Sequence, residues 1–406
     1  MVSISTPLKN KSVGVIGFNA RPIACSAKKA GANVYVSDYW GDDDLTACCD
    51  DWIAVLTPTP GARQRQPLDV PLHESLVENL FYLTKKRKLD YVLVGSGFDD
   101  YFDALGPLQK EGLLVGCSPN QMSKARDFSA LAKIAASLKL SFPKREIVNS
   151  PNEALKNSGE FNFPYLVRPT HSGGGSGIRF ALNSSDVIRS FGEPEDTEYE
   201  PRVLQEYIRG VDISCSVLGA GDLALTFSVQ GQLIGMPTAG RNCGFAYCGN
   251  YYPSGLADET VSRIAEVSES ISKKLKLNGS VGFDYVVDEK ARIWLMEVNP
   301  RIQGTLELIE ATGDLSMTTL HVRASHGILP EKAPELSPGV KMIVYSRRDG
   351  AAPNLAQYSN TADRTPQGVI VNRGDPICTI IETGTSMNEC YKQASIIALS
   401  IQNSIS

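Results

Sequence analysis

Residues 279–304 read GSVGFDYVVDEKARIWLMEVNPRIQG, and this stretch predicts two buried strands joined by a polar turn at residues 288–290. Both apolar runs are rich in β-branched and aromatic residues, which is typical of strands. A buried strand should not carry a carboxylate without a reason, because an unpaired buried charge is costly. Asp284 nevertheless lies inside the first strand, and Glu297 ends the second.

An antiparallel hairpin would bring Asp284 close to Glu297 and Asn299, since Asn299 follows Glu297 at i+2 and faces the same side. Arg301 continues that row. Oxygen-bearing side chains suit a hard divalent cation such as Mg²⁺, which usually shares them with the phosphates of a substrate. The alternative is a surface hairpin whose acidic side chains are solvated.

Composition limits the class of protein. A chain of 406 residues is too long for one ordinary core and predicts two to four domains. A net charge of −5 indicates no broad basic surface for nucleic acid, and no apolar run approaches the roughly 20 residues of a membrane span. The nine cysteines lack CxxC and zinc-site spacing, and no signal peptide is evident, so we expect reduced thiols in a cytoplasmic protein.

The first 120 residues alternate short apolar runs with helical patterns. Strands at 12–16, 33–37, 91–95 and 113–116, with helices at 23–30 and 76–88, predict a doubly wound parallel sheet. The dinucleotide fingerprint is absent, because only Gly14 and Gly17 precede the first turn. Acidic residues at 42–44 and 99–103 follow strand ends, where they could either contact a substrate or cap helices.

The middle of the chain carries a glycine-dense loop at 173–177. It follows a predicted strand at 165–167, and glycines let the backbone approach an anion closely, with successive N–H groups forming a nest for phosphate. Arg168 adds a fixed positive charge just before the loop. A flexible hairpin tip would look similar. A helix at 124–139 and a strand at 145–148 precede the loop.

Beyond residue 210, the pattern predicts strands at 213–218, 224–229 and 232–236, the last two forming a hairpin around Gly231. Helices are expected at 259–275 and 307–329. The polar, aromatic stretch 238–252 reads as a substrate-facing loop, in which Arg241 could receive a carboxylate or remain a surface residue. Residues 337–382 predict a small β unit that serves packing, followed by a helix at 387–401.

Four blocks in this order resemble the ATP-grasp superfamily of carboxylate–amine ligases: Arg168-Pro before the glycine loop, LQEYIRGVD at 204–212, GFDYVV at 282–287 and MEVNPR at 296–301. The segment GFNARPIA at 17–24 is similar to archaeal members related to biotin carboxylase and the carbamoyl-phosphate synthase large chain. The resemblance implies an α/β and α+β fold. Its expected parts are a pre-ATP-grasp domain (1–120), an N-subdomain with a lid (121–210), a C-subdomain with the metal site (211–330) and a small β-rich C-terminal unit (331–406).

The resemblance also assigns roles to individual residues. It implies magnesium ligands at Asp284, Glu297 and Asn299, and catalytic roles for Arg301 and Arg168. It implies nucleotide contacts from Lys133, Arg168, Ser172, Gly173, Gly174, Gly175, Gln205, Glu206, Tyr207, Ile208 and Asp212. Arg168 replaces the usual lysine, and Phe128 stands where a second nucleotide lysine is expected, with Lys124, Arg126 and Lys133 nearby.

The activity implied is ATP-dependent ligation, with Mg²⁺ (two ions, or Mn²⁺ in their place). A substrate carboxylate would become an acyl phosphate and then be coupled to an amine. Two alternatives remain: a carboligase that phosphorylates bicarbonate, and an ATP-binding regulatory protein without catalysis. The expected partners are small molecules rather than nucleic acid or membrane, and a homodimer is common among similar proteins.

Overall fold

A computed structural model describes residues 7–65, 68, 71–157, 161, 163–171, 173–192, 198–241 and 244–406. The first part of the chain folds into a five-stranded sheet of order β3-β2-β1-β4-β5, with every neighbouring pair parallel. This confirms the predicted parallel sheet and adds one strand, β3, which the sequence pattern did not indicate. The elements are β1 (Ser12–Gly17), α1 (Arg21–Lys29), β2 (Asn33–Asp38), β3 (Asp51–Ala54), α2 (Leu72–Thr84), β4 (Tyr91–Val94), α3 (Gly106–Lys110) and β5 (Leu114–Val115).

The second part is a four-stranded antiparallel sheet of order β6-β9-β7-β8. The helix expected over 124–139 is two helices, because Asp127 has extended backbone angles and its side chain accepts from the N–H groups of Ser129 and Ala130. The elements are α4 (Pro119–Arg126), α5 (Phe128–Ser137), β6 (Arg145–Val148), α6 (Pro151–Asn157), β7 (Tyr165–Pro169), β8 (Arg179–Ala181), α7 (Ser184–Phe191) and β9 (Arg202–Glu206).

The third part is built on an eight-stranded sheet of order β14-β13-β10-β11-β12-β15-β19-β17. The helix expected over 307–329 is again two helices. The elements are β10 (Gly210–Ala220), β11 (Leu223–Ile234), β12 (Tyr247–Tyr252), α8 (Asp258–Leu275), β13 (Asn278–Asp288), β14 (Ile293–Asn299), α9 (Leu306–Gly313), α10 (Met317–Ser325), β15 (Gly339–Tyr345), β16 (Gly350–Ala351), β17 (Thr361–Ala362), β18 (Ile370–Val371), β19 (Pro376–Thr383) and α11 (Met387–Asn403).

One prediction about this sheet was wrong. The hairpin around Gly231 does not form, because β11 runs straight through that residue between β10 and β12. Gly231 instead makes room for a neighbour, since a Cβ there would lie 1.9 Å from the Tyr251 ring. The C-terminal strands extend the central sheet, because β15 pairs with β12 and β19 pairs with β15.

The expectation that all thiols are reduced was also wrong, because Cys25 and Cys48 form a disulfide. Their Cα atoms lie 4.4 Å apart, since α1 packs against the 3₁₀ helix Asp43–Cys48. Sequence spacing alone cannot identify such a pair. Within the described ranges, no helix is long and apolar enough to cross a membrane.

His321 joins the first sheet to the central sheet. Its Nδ1 accepts from the N–H of Ser280 at 2.8 Å, and its Nε2 donates to the carbonyl of Val115 at 3.0 Å. The ring is buried, and a Cβ on Gly279 would lie 2.5 Å from it. Burial lowers the pKa of His321 to about 4, so the neutral ring is the form that holds this joint.

We expect acid to weaken this joint. An unfolded histidine has a pKa of about 6.5, so the unfolded chain binds the extra proton first, and folding loses up to about 3 kcal/mol as pH falls from 6.5 to 4. The midpoint of urea unfolding should therefore fall further between pH 7 and pH 4.5 in the wild type than in His321→Gln. His326→Gln is the control and should keep the wild-type slope. Equal slopes in all three proteins would contradict this role.

Candidate active site

The hairpin of β13 and β14 presents two carboxylates side by side. Asp284 pairs with Glu297 across the hairpin, beside a bulge that shifts the register after Asp284. Asn299 donates to one oxygen of Asp284 at 2.8 Å, and Gln232 of β11 donates to the other at 2.9 Å. The hairpin thus brings the three oxygen-bearing side chains together, as the i+2 spacing predicts.

The surroundings of the two carboxylates drive their pKa values apart. Burial, and then the charge of Glu297, raise the pKa of Asp284 to about 7. Burial acts the same way on Glu297, but Arg126 and Arg168 outweigh it and lower the pKa of Glu297 to about 2. Two half-buried carboxylates on paired strand positions repel each other, and a divalent cation between them would relieve that repulsion.

The donor set fits a magnesium ion that takes its remaining ligands from phosphates. Among the residues the structure describes, no group of three or more His, Cys, Asp or Glu side chains could hold a metal. Asp284 and Glu297 supply two carboxylates, and Asn299 supplies an amide beside them. Mg²⁺ is typically bound by one or two carboxylates together with substrate phosphates and water, so this sparse set suits it.

Two arginines tie the first sheet to the hairpin. Arg126, at the end of α4, contacts Asp100 at 2.7 Å and also donates to Glu297. Arg301, just after β14, donates through Nε to both oxygens of Asp99, at 2.9 and 2.8 Å. Asp99 and Asp100 follow β4, so the carboxyl end of a parallel strand borders the site, which is where open α/β sheets form crevices.

Arg145 and Arg168 present positive charge with few partners. Arg168 is 6% exposed, and its Nη1 reaches Gln205 at 3.4 Å, while its Nε has no acceptor in the part of the chain that the structure describes. The Nε and Nη1 groups of Arg145 are also buried without an acceptor among the described residues. Burial, and then the charge of Arg168, lower the pKa of Arg145 to about 9. Two neighbouring guanidinium groups with unused donors fit an anion such as the phosphates of a nucleotide.

Strand pairing explains how these arginines meet. Gln205 of β9 lies opposite Arg145 of β6 on one side and opposite Leu166 of β7 on the other. The Arg145 guanidinium stacks on the ring of Phe128 at 4.5 Å, so Phe128 supports a cation at the place where a lysine was expected. Sequence analysis missed Arg145, whose only signal was an arginine in a short strand.

Two of the predicted site residues, Lys133 and Glu206, do not line the cavity with the others. Lys133 lies exposed on α5. The carboxylate of Glu206 accepts from the N–H of Lys144 at 3.1 Å. Asp212 does line the cavity, and burial raises its pKa to about 6.

The glycine-rich loop packs down onto the segment before β12. The carbonyl of Gly174 accepts from the N–H of Tyr247 at 3.0 Å. Gly175 has a positive φ of 76°, and a Cβ there would lie 1.7 Å from the carbonyl oxygen of Phe245, so only glycine fits this contact. Gly173 lies in the same loop, and Ser172 lies outside the described residues.

Aromatic rings line the cavity next to this loop. Phe180 lies 4.8 Å from both Tyr207 and Phe245, measured between ring centroids, and Ile208 lines the same wall. An aromatic and apolar wall of this kind suits a base ring. The aromatic wall, the arginines and the hairpin carboxylates all border one cavity of about 1340 Å³.

Comparison with known proteins gives a consistent result. A family model of the ATP-grasp domain matches residues 134–305. An uncharacterized protein of Methanocaldococcus jannaschii is 26% identical over 372 residues, which are 90% of this chain and 87% of that protein. The C-terminal section of the carbamoyl phosphate synthase large chain of Methanopyrus kandleri is 24% identical over 263 residues, which are 64% of this chain and 48% of that protein.

Solved structures share the fold along nearly the whole chain. N5-carboxyaminoimidazole ribonucleotide synthetase in its ADP complex superposes with a TM-score of 0.72 at 15% identity, over 97% of this chain and 98% of that one. The biotin carboxylase domain of Hydrogenobacter thermophilus 2-oxoglutarate carboxylase, crystallised with MgADP, ADP and bicarbonate, gives 0.73 at 15% identity, over 98% and 91%. At such identities the likeness shows the fold alone.

The arginine pair predicts binding of polyanions. We expect Arg145→Met and Arg168→Met each to lower the affinity for inorganic triphosphate about tenfold to a hundredfold, because each removes charge-assisted hydrogen bonds. Circular dichroism should show that Arg145→Met keeps the wild-type fold, although it loses the hydrogen bond to the Met296 carbonyl and the stacking on Phe128. Isothermal titration calorimetry measures the affinity, with Arg189→Met, an exposed arginine on α7, as control. Equal affinity in Arg145→Met and Arg189→Met would contradict the assignment.

Proposed function

The chain is a member of the ATP-grasp superfamily, and on that premise we propose that it is an ATP-dependent ligase that joins a carboxylate to an amine. The observation that carries this proposal is the meeting, in one cavity, of the Asp284–Glu297–Asn299 set with the unpartnered N–H groups of Arg145 and Arg168. The arginines supply positive charge for the polyphosphate of a nucleotide, and the carboxylates supply negative charge for its metal cation.

ATP is the nucleotide that we propose for this cavity. Its phosphates would lie against Arg145 and Arg168 under the loop of Gly173–Gly175, and its base would lie near Phe180, Tyr207 and Ile208. Gln205 would then act mainly by positioning Arg168, because its side-chain oxygen faces that guanidinium. Asp212, at the start of β10, is the candidate for the ribose hydroxyls.

Magnesium would be held by Asp284, Glu297 and Asn299, where it neutralises charge on the terminal phosphates. Arg126 keeps Glu297 ionised, so that carboxylate is ready for a cation at neutral pH. A bound cation would keep the Asp284 carboxyl deprotonated. The proposal includes two magnesium ions, or Mn²⁺ in their place.

The reaction would proceed in two displacements. An oxygen of the substrate carboxylate attacks the γ-phosphorus, the bond to the β-phosphate oxygen breaks, and ADP leaves with an acyl phosphate remaining. The amine nitrogen then attacks the acyl carbon, loses its proton and expels inorganic phosphate, which forms the amide. Arg301, fixed by Asp99, stabilises negative charge on the phosphoryl oxygens. The glycine loop, closed on Phe245, excludes the water that would hydrolyse the acyl phosphate.

One finding favours a second candidate, a carboligase that phosphorylates bicarbonate. The Hydrogenobacter biotin carboxylase domain, whose crystals contained bicarbonate, shares the fold over 98% of this chain. Release of ADP that depends on bicarbonate, without an organic carboxylate, would separate this candidate from the ligase. Nucleotide binding without ADP release across carboxylates, bicarbonate and amines would instead indicate a regulatory protein.

The metal assignment predicts the outcome of one substitution. In Glu297→Ala, substrate-dependent ADP release should fall at least about a hundredfold, because an electrostatic group at the phosphoryl centre is removed. The measurement is a coupled ADP assay over pairs of carboxylates and amines, with mass spectrometry of the product.

Glu289→Ala is the matched control, because Glu289 lies exposed in the turn of the same hairpin. It should keep wild-type turnover, and both variants should keep the wild-type circular dichroism spectrum. Full turnover by a folded Glu297→Ala protein would refute the metal assignment.

A further inference from the structure

A second region of the cavity is lined by side chains that accept hydrogen bonds and lack donors. Asp42 lines it and is 7% exposed. It stands at the N-cap of the 3₁₀ helix Asp43–Cys48, yet its side chain makes no capping hydrogen bond. An aspartate at this position ordinarily accepts from the backbone of its own helix. No described residue donates to the Asp42 carboxylate, so it is left for something outside the protein.

Two amide oxygens in the same cavity share this property. Gln64 is 4% exposed and donates through Nε2 to Thr365 at 2.8 Å and to the carbonyl of Pro376 at 3.0 Å. Since that carbonyl can only accept, the orientation of the Gln64 amide is fixed, and its Oε1 is a buried acceptor without a donor among the described residues. The Oδ1 of Asn19 is a further buried atom without a hydrogen-bond partner among the described residues.

Hydrogen bonds bring the chain segments that carry the three residues together at one side of the cavity. Asp38 accepts from the N–H groups of Ala20 and Gly41, both at 2.8 Å, which places the segments of Asn19 and Asp42 side by side. The N–H of Asp43 donates to the carbonyl of Arg364 at 2.8 Å. Gln64 contacts the next residue, Thr365, so its amide belongs to the same corner of the cavity.

The nearest cations are already committed to other carboxylates. Arg21 is 3% exposed and contacts Asp363 at 2.6 Å, Glu307 at 2.5 Å and Asp44 at 3.4 Å. Lys341 contacts Glu307 at 2.8 Å. Arg21 and Lys341 thus each already contact at least one carboxylate other than Asp42, and Arg364 lies 3.9 Å from Asp43. Burial, and then the charges of Asp363 and Asp38, raise the pKa of Asp42 well above its ordinary range, as expected for a carboxyl that lacks a cation.

The wall beside these acceptors is aromatic. Trp40 and Phe18 line the cavity, and both pack against Tyr39, with ring centroids 4.8 and 5.2 Å apart. The guanidinium of Arg65 lies 5.3 Å from the centre of the Trp40 ring, so this surface already accommodates a cation. Aromatic faces attract positive charge and offer an apolar surface to the rest of a ligand.

We infer that Asp42, Asn19 and Gln64 bind an ammonium group of the second substrate, which is a primary amine carried on an apolar or aromatic body. An ammonium has three donors and no acceptor, which matches a carboxylate and two amide oxygens that lack donors. A carboxylate or phosphate would meet the like charge of Asp42 and two further acceptors here, while the nearby Arg65 is already paired with Asp375 at 3.0 Å. This inference rests on the proposed function, since it names the class of amine that the ligase would use.

The test uses the full chain without nucleotide and two amine probes at pH 7, 2-phenylethylamine and 1,4-diaminobutane. Their neutral counterparts are 2-phenylethanol and 1,4-butanediol. By isothermal titration calorimetry, at least one amine should bind at least about tenfold more tightly than its alcohol. Asp42→Asn should lower that affinity about tenfold to a hundredfold, since a charge-assisted hydrogen bond is lost.

Asp43→Asn, at the exposed neighbouring aspartate, is the control and should keep wild-type affinity for the amine. Asp42→Asn should unfold at the wild-type temperature or above it, because it removes an unpaired buried carboxylate. If Asp42→Asn fails to fold, Gln64→Leu is tested in its place. This variant removes one acceptor and should also lower the affinity for the amine.

Three results would overturn the inference: neither amine binds, the alcohols bind as tightly as the amines, or the folded Asp42→Asn protein keeps full affinity. Titration of MgATP into the wild-type and Asp43→Asn proteins is a separate measurement. Tight MgATP binding with no binding of amines would reject the amine site and leave the proposed ligase standing. Binding of amines without MgATP would reject the proposed function instead.

Discussion

The repulsion between two half-buried carboxylates is the constraint on which the arrangement of this protein depends. Asp284 and Glu297 lie opposite each other on paired strands, and their partial burial strengthens the repulsion because less water screens it. The chain surrounds them with compensating groups: amides from Gln232 and Asn299 on Asp284, and a guanidinium from Arg126 on Glu297. As a result, the pKa of Asp284 is raised and the pKa of Glu297 is lowered, and the two carboxylates together suit a cation.

The same charges couple the first sheet to the central one. Asp99 and Asp100, consecutive residues after β4, each contact a different arginine at the hairpin, Arg301 and Arg126. Buried ion pairs of this kind contribute little net stability but fix geometry strongly, because breaking one leaves an uncompensated charge. The crevice between the sheets is therefore held at a defined width on the side where the phosphoryl chemistry would occur.

The polar groups without partners are distributed unevenly over the cavity. Counting only the residues that the structure describes, Arg145 and Arg168 near β6 and β7 have N–H groups without acceptors, while Asn19 and Gln64 near the first sheet have oxygens without donors. Each such group costs stability if it stays buried and unpaired, and natural proteins tolerate this mainly at functional sites. One cavity thus offers donors for an anion and acceptors for a cation, which is the polarity that a nucleotide and an amine would require.

Local sequence patterns determined the first parallel sheet and the β13–β14 hairpin, because alternation along a strand fixes which side chains share a face. This is why the convergence of Asp284, Glu297 and Asn299 could be predicted, and why the glycine loop could be recognised. Other features depended on contacts distant in sequence. Arg145 reaches Arg168 only because β6 and β7 both pair with β9, and the capping carboxylate of Asp127 divides a stretch that reads as one helix.

Tertiary structure also decided that β11 passes straight through Gly231, where the Tyr251 ring fills the space of the missing side chain, and that β15 and β19 extend the central sheet. The sequence by itself determined which residue types share each local face, since that follows from backbone periodicity. Only the folded chain decided which faces meet, and which buried donors and acceptors are left without partners, because those outcomes depend on strand order and packing across the whole molecule.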